Sequence, residues 1–312
     1  MNILITGAFG QLGSKIIERL INSNHSICCF DVKNRRTKRK ARKFKRKVNI
    51  LWGDIRNENA VRKAVVNQDL IIHLAFHLPP ITQANESSAR AINVGGTKNL
   101  LAVAKQQTNK PKFLFASSVV IYGDVRDKQQ PINPDKEPQP VDCYAKQKVE
   151  CMHLIKNSGL DYSIFVLGVV PPVTNLAPDP TIFEIPFDTK VELLHEDDAA
   201  QAFANAVSNE QIWNQVLHIA GGPSCRLQYG EFIQRTMSVM GIGSLPEKAF
   251  GGANYHCCLL SSEKSQAILD YQKHSFEDIL SDMENQNKFL IFLIKIFRPL
   301  VRRFFLKQSP YF

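Results

Sequence analysis

The chain opens with a short apolar run, Asn2-Ile3-Leu4-Ile5-Thr6. It passes directly into Thr6-Gly7-Ala8-Phe9-Gly10-Gln11-Leu12-Gly13 and then into a helix-periodic stretch carrying Ile16, Ile17 and Leu20. A strand, a turn with three glycines at GxxGxxG spacing and a helix, in that order, leave few architectures open. The glycines let the backbone turn sharply and approach a pyrophosphate, whose charge then sits among unpaired N–H groups at the helix N-terminus. Glycine spacing alone is weak evidence, because any tight strand-to-helix turn uses glycine. The order of the elements gives it weight.

The same rhythm continues downstream. Segments 26–31, 48–53, 70–74, 112–117 and 162–167 read as strands, several of them apolar throughout, as buried parallel strands are. Helical patterns lie near 11–22, 38–46, 57–66, 88–107 and 142–158. This alternation predicts an α/β fold, a doubly wound parallel sheet of the Rossmann type with a small interleaved C-terminal lobe. After Gly168 the rhythm breaks at Pro171, Pro172, Pro178, Pro180 and Pro186, which predicts a loop or lobe insertion. A strand at 191–194, a helix at 197–207, a strand at 216–220 and helices at 227–240 and 275–285 follow. The expected organisation is a dinucleotide-binding domain at 1–167, to which 191–220 returns. A substrate lobe occupies 168–190 and 221–286, and a basic, apolar tail occupies 287–312.

Composition narrows the class further. With 312 residues, 44% hydrophobic and 22% charged, the chain can bury a large core, which excludes a disordered or disulfide-stapled protein. Residues 33–47 carry 11 Lys/Arg and no acid, and 288–312 carry six and no acid; without these two patches the net charge of +10 becomes −7. The basicity is therefore local, and specific nucleic-acid binding is not expected. Seven cysteines without CxxC spacing fit free thiols in a reducing compartment, and no metal site is expected. The strand-like run begins at Met1 and leaves no room for a signal peptide, so a cytoplasmic location is expected.

Two constellations carry chemistry. Eighteen residues past Gly13, at the end of the second strand, Asp31 can accept hydrogen bonds from adenine-ribose hydroxyls, which favours NAD. The cationic run from Lys33 could hold a 2′-phosphate, so NADP stays open. Tyr144 and Lys148 stand at i and i+4 on one face of a predicted helix. There the ammonium could favour the phenolate and poise the tyrosine for proton exchange with an alcohol or carbonyl. Upstream, Phe113-Leu114-Phe115-Ala116-Ser117-Ser118 ends an apolar strand in hydroxyls, at the sheet edge where open α/β proteins bind ligands. Ser118 could hold the substrate oxygen, while Ser117 reads as a polar strand terminus.

Together with Trp52-Gly53-Asp54-Ile55, Ile72-His73-Leu74-Ala75, Ile92-Asn93-Val94-Gly95-Gly96-Thr97, Ile121-Tyr122-Gly123 and His195-Glu196-Asp197-Asp198-Ala199-Ala200, these pieces resemble the extended short-chain dehydrogenase/reductases of the NAD-dependent epimerase/dehydratase family. They occur in family order over residues 2 to about 220. The resemblance implies Tyr144 as acid/base, Lys148 on the nicotinamide ribose and Ser118 orienting the substrate oxygen. It places Asp54 and Ile55 beside the adenine, Ala75 on the pyrophosphate side and Asn93 in support of the active-site helix. The implied cofactor set is Gly7, Phe9, Gly10, Gln11, Leu12, Gly13, Asp31, Asp54, Ile55, Leu74, Ala75, Asn93, Tyr144, Lys148 and Val170.

One departure concerns substrate. Where sugar-nucleotide epimerases usually read Arg-Pro-x-Asn after the sixth strand, this chain reads Val166-Leu167-Gly168-Val169, and the segment to His195 is short. The expected activity is NAD(P)-dependent hydride transfer at a secondary alcohol or ketone carbon of a small molecule. A sugar-nucleotide epimerase/dehydratase with retained NAD, or a non-catalytic nucleotide-sensing or membrane-associated scaffold, are the alternatives. The resemblance suggests a homodimer through the helices near 88–107 and 142–158.

The basic patches add a further partner class. Within 33–47, Ala41, Phe44 and Val48 form a narrow apolar stripe. That pattern suits a helix covering the sheet, or attraction to anionic lipid, nucleic acid or cofactor phosphate. Segment 289–306 mixes Phe, Leu and Ile with Lys and Arg and is too short to span a bilayer uninterrupted. It resembles an in-plane anchor on an anionic membrane surface, at the inner membrane face, or a terminal helix docked on protein.

Overall fold

A computed structural model describes residues 1–126, 128–174, 180–251 and 257–312. Pro178, and with it part of the lobe expected at 168–190, lies outside the described residues, as does 252–256 within the lobe expected at 221–286. From the first residues, β1 (Asn2–Thr6), α1 (Gln11–Leu20), β2 (Ser26–Asp31), α2 (Arg35–Ala41), β3 (Asn49–Trp52), α3 (Glu58–Val65) and β4 (Leu70–His73) alternate. The chain then winds through α4 (Ile81–Ala84), α5 (Glu86–Arg90), a π-helical turn (Ala91–Gly95) and α6 (Gly96–Lys105). β5 (Lys112–Ser118), α7 (Cys143–Lys156) and β6 (Tyr162–Leu167) complete the first half. β7 (Lys190–Glu192), α8 (Glu196–Ala206), β8 (Gln215–Ile219), β9 (Arg226–Gln228) and α9 (Tyr229–Val239) follow. The helices α10 (Glu263–Leu269), α11 (Phe276–Gln286), α12 (Lys288–Ile296) and α13 (Arg298–Leu306) close the chain.

Seven strands form one parallel sheet in the order β3-β2-β1-β4-β5-β6-β8. The strands are apolar on both faces because both are covered. Leu4, Ile71, Phe113 and Phe115 point into one buried cluster, and Ile3, Ile5, Ile72 and Leu114 into the other. This is the period-2 alternation of a strand read through a two-sided core. The second cluster joins α1 to α8, and Lys15 and Arg19 of α1 pair with Asp197 at 3.1 and 3.0 Å.

Local chemistry sets the boundaries that hydrophobic pattern leaves vague. The helix expected at 38–46 starts at Arg35, because Asn34 Oδ1 accepts the Thr37 N–H at 2.9 Å while the Thr37 hydroxyl accepts the Asn34 N–H at 3.0 Å. This reciprocal cap satisfies two backbone donors that would otherwise be orphaned. Turns carry the chain on from Ala41, so that Phe44 is buried against Phe9, 6.4 Å between ring centres. Asp142 caps α7 by accepting the Ala145 N–H at 2.8 Å. The helix expected at 88–107 is three segments, with the π-helical turn at its centre.

The strand expected at 191–194 leaves the main sheet. As β7 it pairs antiparallel with β9 in a separate ribbon, and the chain rejoins the sheet at β8. Glu192, fully buried, ties this ribbon together. It accepts the Gly222 and Leu260 N–H groups at 3.0 and 2.8 Å and pairs with Arg226 at 3.2 Å. No helix among the described residues is long and apolar enough to cross a membrane.

The turn between β1 and α1 presses against the end of β4. Gly7 has φ +65°, and a Cβ there would stand 2.8 Å from the Ala75 nitrogen. A side chain at this position costs both conformational strain and a backbone clash. Gly7→Ala is expected to lower unfolding stability by about 2 kcal/mol or more, read by urea denaturation; an unchanged midpoint contradicts the close approach.

Candidate active site

The sheet reverses its winding between β1 and β4, and the C-terminal ends of those two strands border the crevice in which open α/β sheets bind ligands. Gly7, Gly10 and Gly13 build a cradle there. The Gly10 N–H donates to the Gly7 carbonyl at 2.9 Å, and a Cβ on Gly13 would meet that same carbonyl oxygen at 2.6 Å. Asp31, at the end of β2, accepts the Phe9 N–H at 2.8 Å and the Val32 N–H at 2.7 Å. Burial raises its carboxyl pKa, and the two backbone donors and Lys40 pull it back. Lys40 of α2 donates from Nζ to the Gly10 carbonyl at 3.0 Å. The cationic segment thus reaches the glycine turn through one named side chain that sequence reading did not single out.

Directly behind the cradle runs a line of buried hydrogen bonds. The Leu74 and Ala75 N–H groups donate to Thr6 Oγ1 at 3.2 and 3.3 Å. Thr6 Oγ1 lies 2.8 Å from His73 Nδ1, and His73 Nε2 lies 2.9 Å from Thr97 Oγ1. Because the Thr97 hydroxyl donates to the Asn93 carbonyl at 2.6 Å, it accepts from His73 Nε2–H, and His73 Nδ1 accepts from Thr6. The tautomer is thereby fixed. Burial, reinforced by the Lys148 ammonium, pushes the His73 pKa down to about 3, so the ring is neutral at ordinary pH.

Asn93 sits in the π-helical turn, a local widening that recurs at functional sites. Its Oδ1 accepts the His77 N–H at 2.6 Å, and its Nδ2 donates to the His77 carbonyl at 3.1 Å and to Gln147 Oε1 at 2.7 Å. Gln147 precedes Lys148 on α7, so Asn93 fastens the helix that bears Tyr144 and Lys148 to the loop after β4.

Tyr144 and Lys148 are both buried. The Ser118 side chain, at the end of β5, acts on the Tyr144 hydroxyl. Burial pushes the phenol pKa well above its ordinary value; the Ser118 hydroxyl opposes this and the Asp142 charge adds to it. Burial also pushes the Lys148 ammonium down to about 7. Its Nζ donates to the Ala116 carbonyl at 2.6 Å and sits 3.6 Å above the Phe76 ring, 4.6 Å from Phe115 and 5.7 Å from the ring centre of Tyr144. Phe76 stacks edge-on against Tyr144, 5.8 Å between centres. Phe76 and Gln147 are site residues that the sequence reading missed; each is the immediate neighbour of a residue it named, Ala75 and Lys148. Ser117 points elsewhere, donating to Met152 Sδ at 3.2 Å.

The remaining expected cofactor residues divide into two groups. Leu12, Leu74 and Val170 are partly buried around the second apolar cluster, and Ile55 is buried in the first, against Gly96, where a Cβ would meet Ile55 Cγ2 at 2.5 Å. Asn99 donates to the Ile55 and Arg56 carbonyls at 3.0 and 3.1 Å and so fixes that turn. Asp54, by contrast, is engaged by Arg56 at 2.6 Å, which lowers its pKa, and Gln11 reaches away to Glu196 at 2.7 Å. The Phe9 side chain is core, 5.4 Å from Trp52, and only its N–H faces Asp31.

His195, Asp198 and His274 lie close together; hydrogen bonds engage Asp198 and the His274 ring, while His195 Nε2 is buried with no hydrogen-bond partner. His195 Nδ1 accepts the Asp197 N–H at 3.1 Å, which leaves the proton of the neutral ring on Nε2, facing Asp282 at 3.4 Å. Asp198 is occupied by the Lys273 and His274 N–H groups, each at 3.0 Å, and by the His274 ring at 2.5 Å.

The strand order and the glycine cradle define a dinucleotide-binding α/β protein. The model of the NAD-dependent epimerase/dehydratase family matches residues 3–178, and the chain belongs to that family. It is 30% identical over 139 residues to CDP-paratose 2-epimerase of Salmonella typhi, covering 40% of this chain and 39% of that protein. It is 29% identical over 133 residues to UDP-glucose 4-epimerase of Klebsiella pneumoniae, covering 40% of this chain and 94% of that sequence. The chain spans about two fifths of the length of several curated relatives that it matches. In structure it resembles UDP-glucuronic acid 4-epimerase of Bacillus cereus in complex with UDP-glucuronic acid and NAD, with a TM-score of 0.77 and 20% identity, covering 93% of this chain and all of that one.

The His73 line makes a pH-dependent prediction. A base whose folded pKa lies below its unfolded value leaves the unfolded chain holding more protons between the two. Its stabilising share is complete above about 6.5 and is lost as pH falls toward about 3. His73→Gln is expected to cost about 2 kcal/mol at pH 7.5 and to show a shallower loss of stability between pH 6.5 and 4 than wild type. Parallel acid profiles for the two proteins would contradict a neutral, buried His73.

Proposed function

We propose that this protein is an NAD-dependent oxidoreductase/epimerase of the extended short-chain dehydrogenase type, which oxidises and re-reduces a secondary alcohol carbon of a small molecule. The observation that carries the reading is the grouping of the buried Tyr144 and Lys148 with the half-buried Ser118 at the C-terminal edge of β5, beside the glycine cradle. A retired site has no physical reason to keep that trio, which weighs against a non-catalytic scaffold.

The residues present suit the cofactor. A glycine turn whose Cβ positions are filled by backbone, with Asp31 held by two N–H groups at the end of β2, is a cradle for a pyrophosphate and a ribose diol. Gly7, Gly10 and Gly13 would hold the pyrophosphate, Asp31 the adenine ribose, and Lys148 the second ribose. NAD supplies a hydride acceptor and donor at the substrate carbon when bound. Tyr144 Oη takes the hydroxyl proton as the carbon is oxidised and returns it on reduction. Ser118, at the end of β5, orients the substrate oxygen. Lys148 stands on the same helix as Tyr144, its Nζ 5.7 Å from the Tyr144 ring centre, where its charged form would favour the phenolate.

The relatives and structural neighbours named as sugar-nucleotide epimerases support a sugar nucleotide as substrate. A second reading, a dehydrogenase or reductase that exchanges cofactor in each turnover, is favoured by Val166-Leu167-Gly168-Val169 in place of the usual Arg-Pro-x-Asn. We assign 1–167 with 191–220 to cofactor binding, and 168–190 with 221–286 to the substrate. The groove between α6 and α7, lined by Leu101, Ala102, Val149 and Leu154, supports a homodimer through these helices. Seven free cysteines support a reducing, cytoplasmic location.

Tyr144→Phe removes only the hydroxyl. Turnover on UDP-glucose or UDP-glucuronic acid, or any redox assay in which the wild type is active, is expected to fall by about 10²–10⁴ with NAD binding by calorimetry unchanged. Wild-type turnover in the variant removes Tyr144 from the acid/base role.

A further inference from the structure

Of fifteen large hydrophobic side chains exposed among the described residues, nine lie between 289 and 312. On α12, on α13 and at the Phe297 junction between them, Phe289, Phe292, Ile296, Phe297, Leu300 and Phe304 are each more than half exposed. Their spacing keeps to three, four and seven residues, the period of a helix face, apart from the single step at the α12–α13 junction. The opposite faces are already docked. Ile291 and Ile294 are buried in the first core cluster, and Val301, Phe305 and Leu306 pack against it. The exposed row is therefore a built surface on two helices fastened to the body of the protein.

The charges divide in the same way. Arg298 Nε donates to the Ile242 carbonyl at 3.2 Å, and Arg302 donates to the Ser244 carbonyl, so these two serve the fold. Lys288, Lys295, Arg303 and Lys307 are exposed and have no hydrogen bond or ion pair among the described side chains. No acid occurs anywhere in 288–312. Two copies of this face brought together would oppose like charges, which disfavours self-association through it. The complementary surface is apolar beneath and anionic above.

We propose that α12 and α13 form an in-plane docking surface for an anionic phospholipid bilayer, the aromatic row entering the acyl boundary and the four unpaired cations meeting lipid phosphates. Nine residues at 1.5 Å each give α12 a length of about 14 Å, less than half of the roughly 30 Å hydrocarbon core, so the helices lie along the surface. Long cationic side chains reach the headgroups while their stems cover apolar surface. Outside residues 33–47 and this segment the chain carries a net −7, so an anionic membrane draws this face in and repels most of the rest. The inference does not depend on the activity proposed above.

The test is flotation of the full chain with phosphatidylcholine vesicles, with and without phosphatidylglycerol. Wild type is expected to float with the phosphatidylglycerol vesicles and to bind pure phosphatidylcholine about tenfold less. A quadruple charge variant (Lys288→Glu, Lys295→Glu, Arg303→Glu, Lys307→Glu) and a quadruple apolar variant (Phe289→Ser, Phe292→Ser, Leu300→Ser, Phe304→Ser) each lose about tenfold or more. Both alter exposed side chains, and an unchanged thermal midpoint verifies the fold. Wild type that stays with neither vesicle, or binding that both folded variants retain, overturns the proposal. So does a wild-type oligomer that the apolar variant dissolves, since a second copy would then cover the face.

Discussion

The approach of the β1–α1 turn to the end of β4 holds the rest of the structure in place, and it is made possible by a histidine that cannot afford a charge. Thr6, His73, Thr97 and Asn93 form one directional line in which every hydroxyl and ring nitrogen has a fixed role. A protonated His73 would present two donors where one acceptor is needed, in a site with no carboxylate to compensate, next to the Lys148 ammonium. Neutrality of that ring therefore couples the glycine turn, through Asn93 and Gln147, to the helix carrying Tyr144 and Lys148.

Desolvation governs the chemistry of the pair. The same burial that raises the phenol lowers the ammonium, so both neutral forms gain relative to their charged forms. Lys148 keeps one carbonyl and the face of Phe76 as its compensation, a weakly solvating environment that leaves its charge easily recruited. A site poised in this way responds strongly to whatever polar group enters it, because the surroundings supply little screening.

Much of this was legible in the sequence. Continuous apolar runs located the six strands of the first half within a residue or two, and Gly7, Asp31, Ser118, Tyr144 and Lys148 were nameable as candidates only from element order, strand ends and helical spacing taken together. What escaped depended on tertiary contact. The reciprocal cap of Asn34 and Thr37 moved α2 forward, the π-helical turn divided a continuous periodic pattern, and a three-residue ribbon at β7 looked like a sheet strand. Phe76, Gln147 and Lys40 carry no motif signature; their roles exist because folding brings a ring, an amide and an ammonium to positions that local pattern does not encode. In 289–306 the pattern was plain, but which face of each helix would be docked was set by the pocket formed by distant residues.

The function proposed for this protein requires the switch-point crevice to hold a nucleotide beside Ser118, Tyr144 and Lys148. Its most direct test is quantitative mass spectrometry of nucleotide released on denaturing the freshly purified protein, followed by titration of the nucleotide-free protein with NAD and NADP. The expected result is NAD, either retained near one per chain or taken up in preference to NADP. A protein that carries no nucleotide and takes up neither would contradict it.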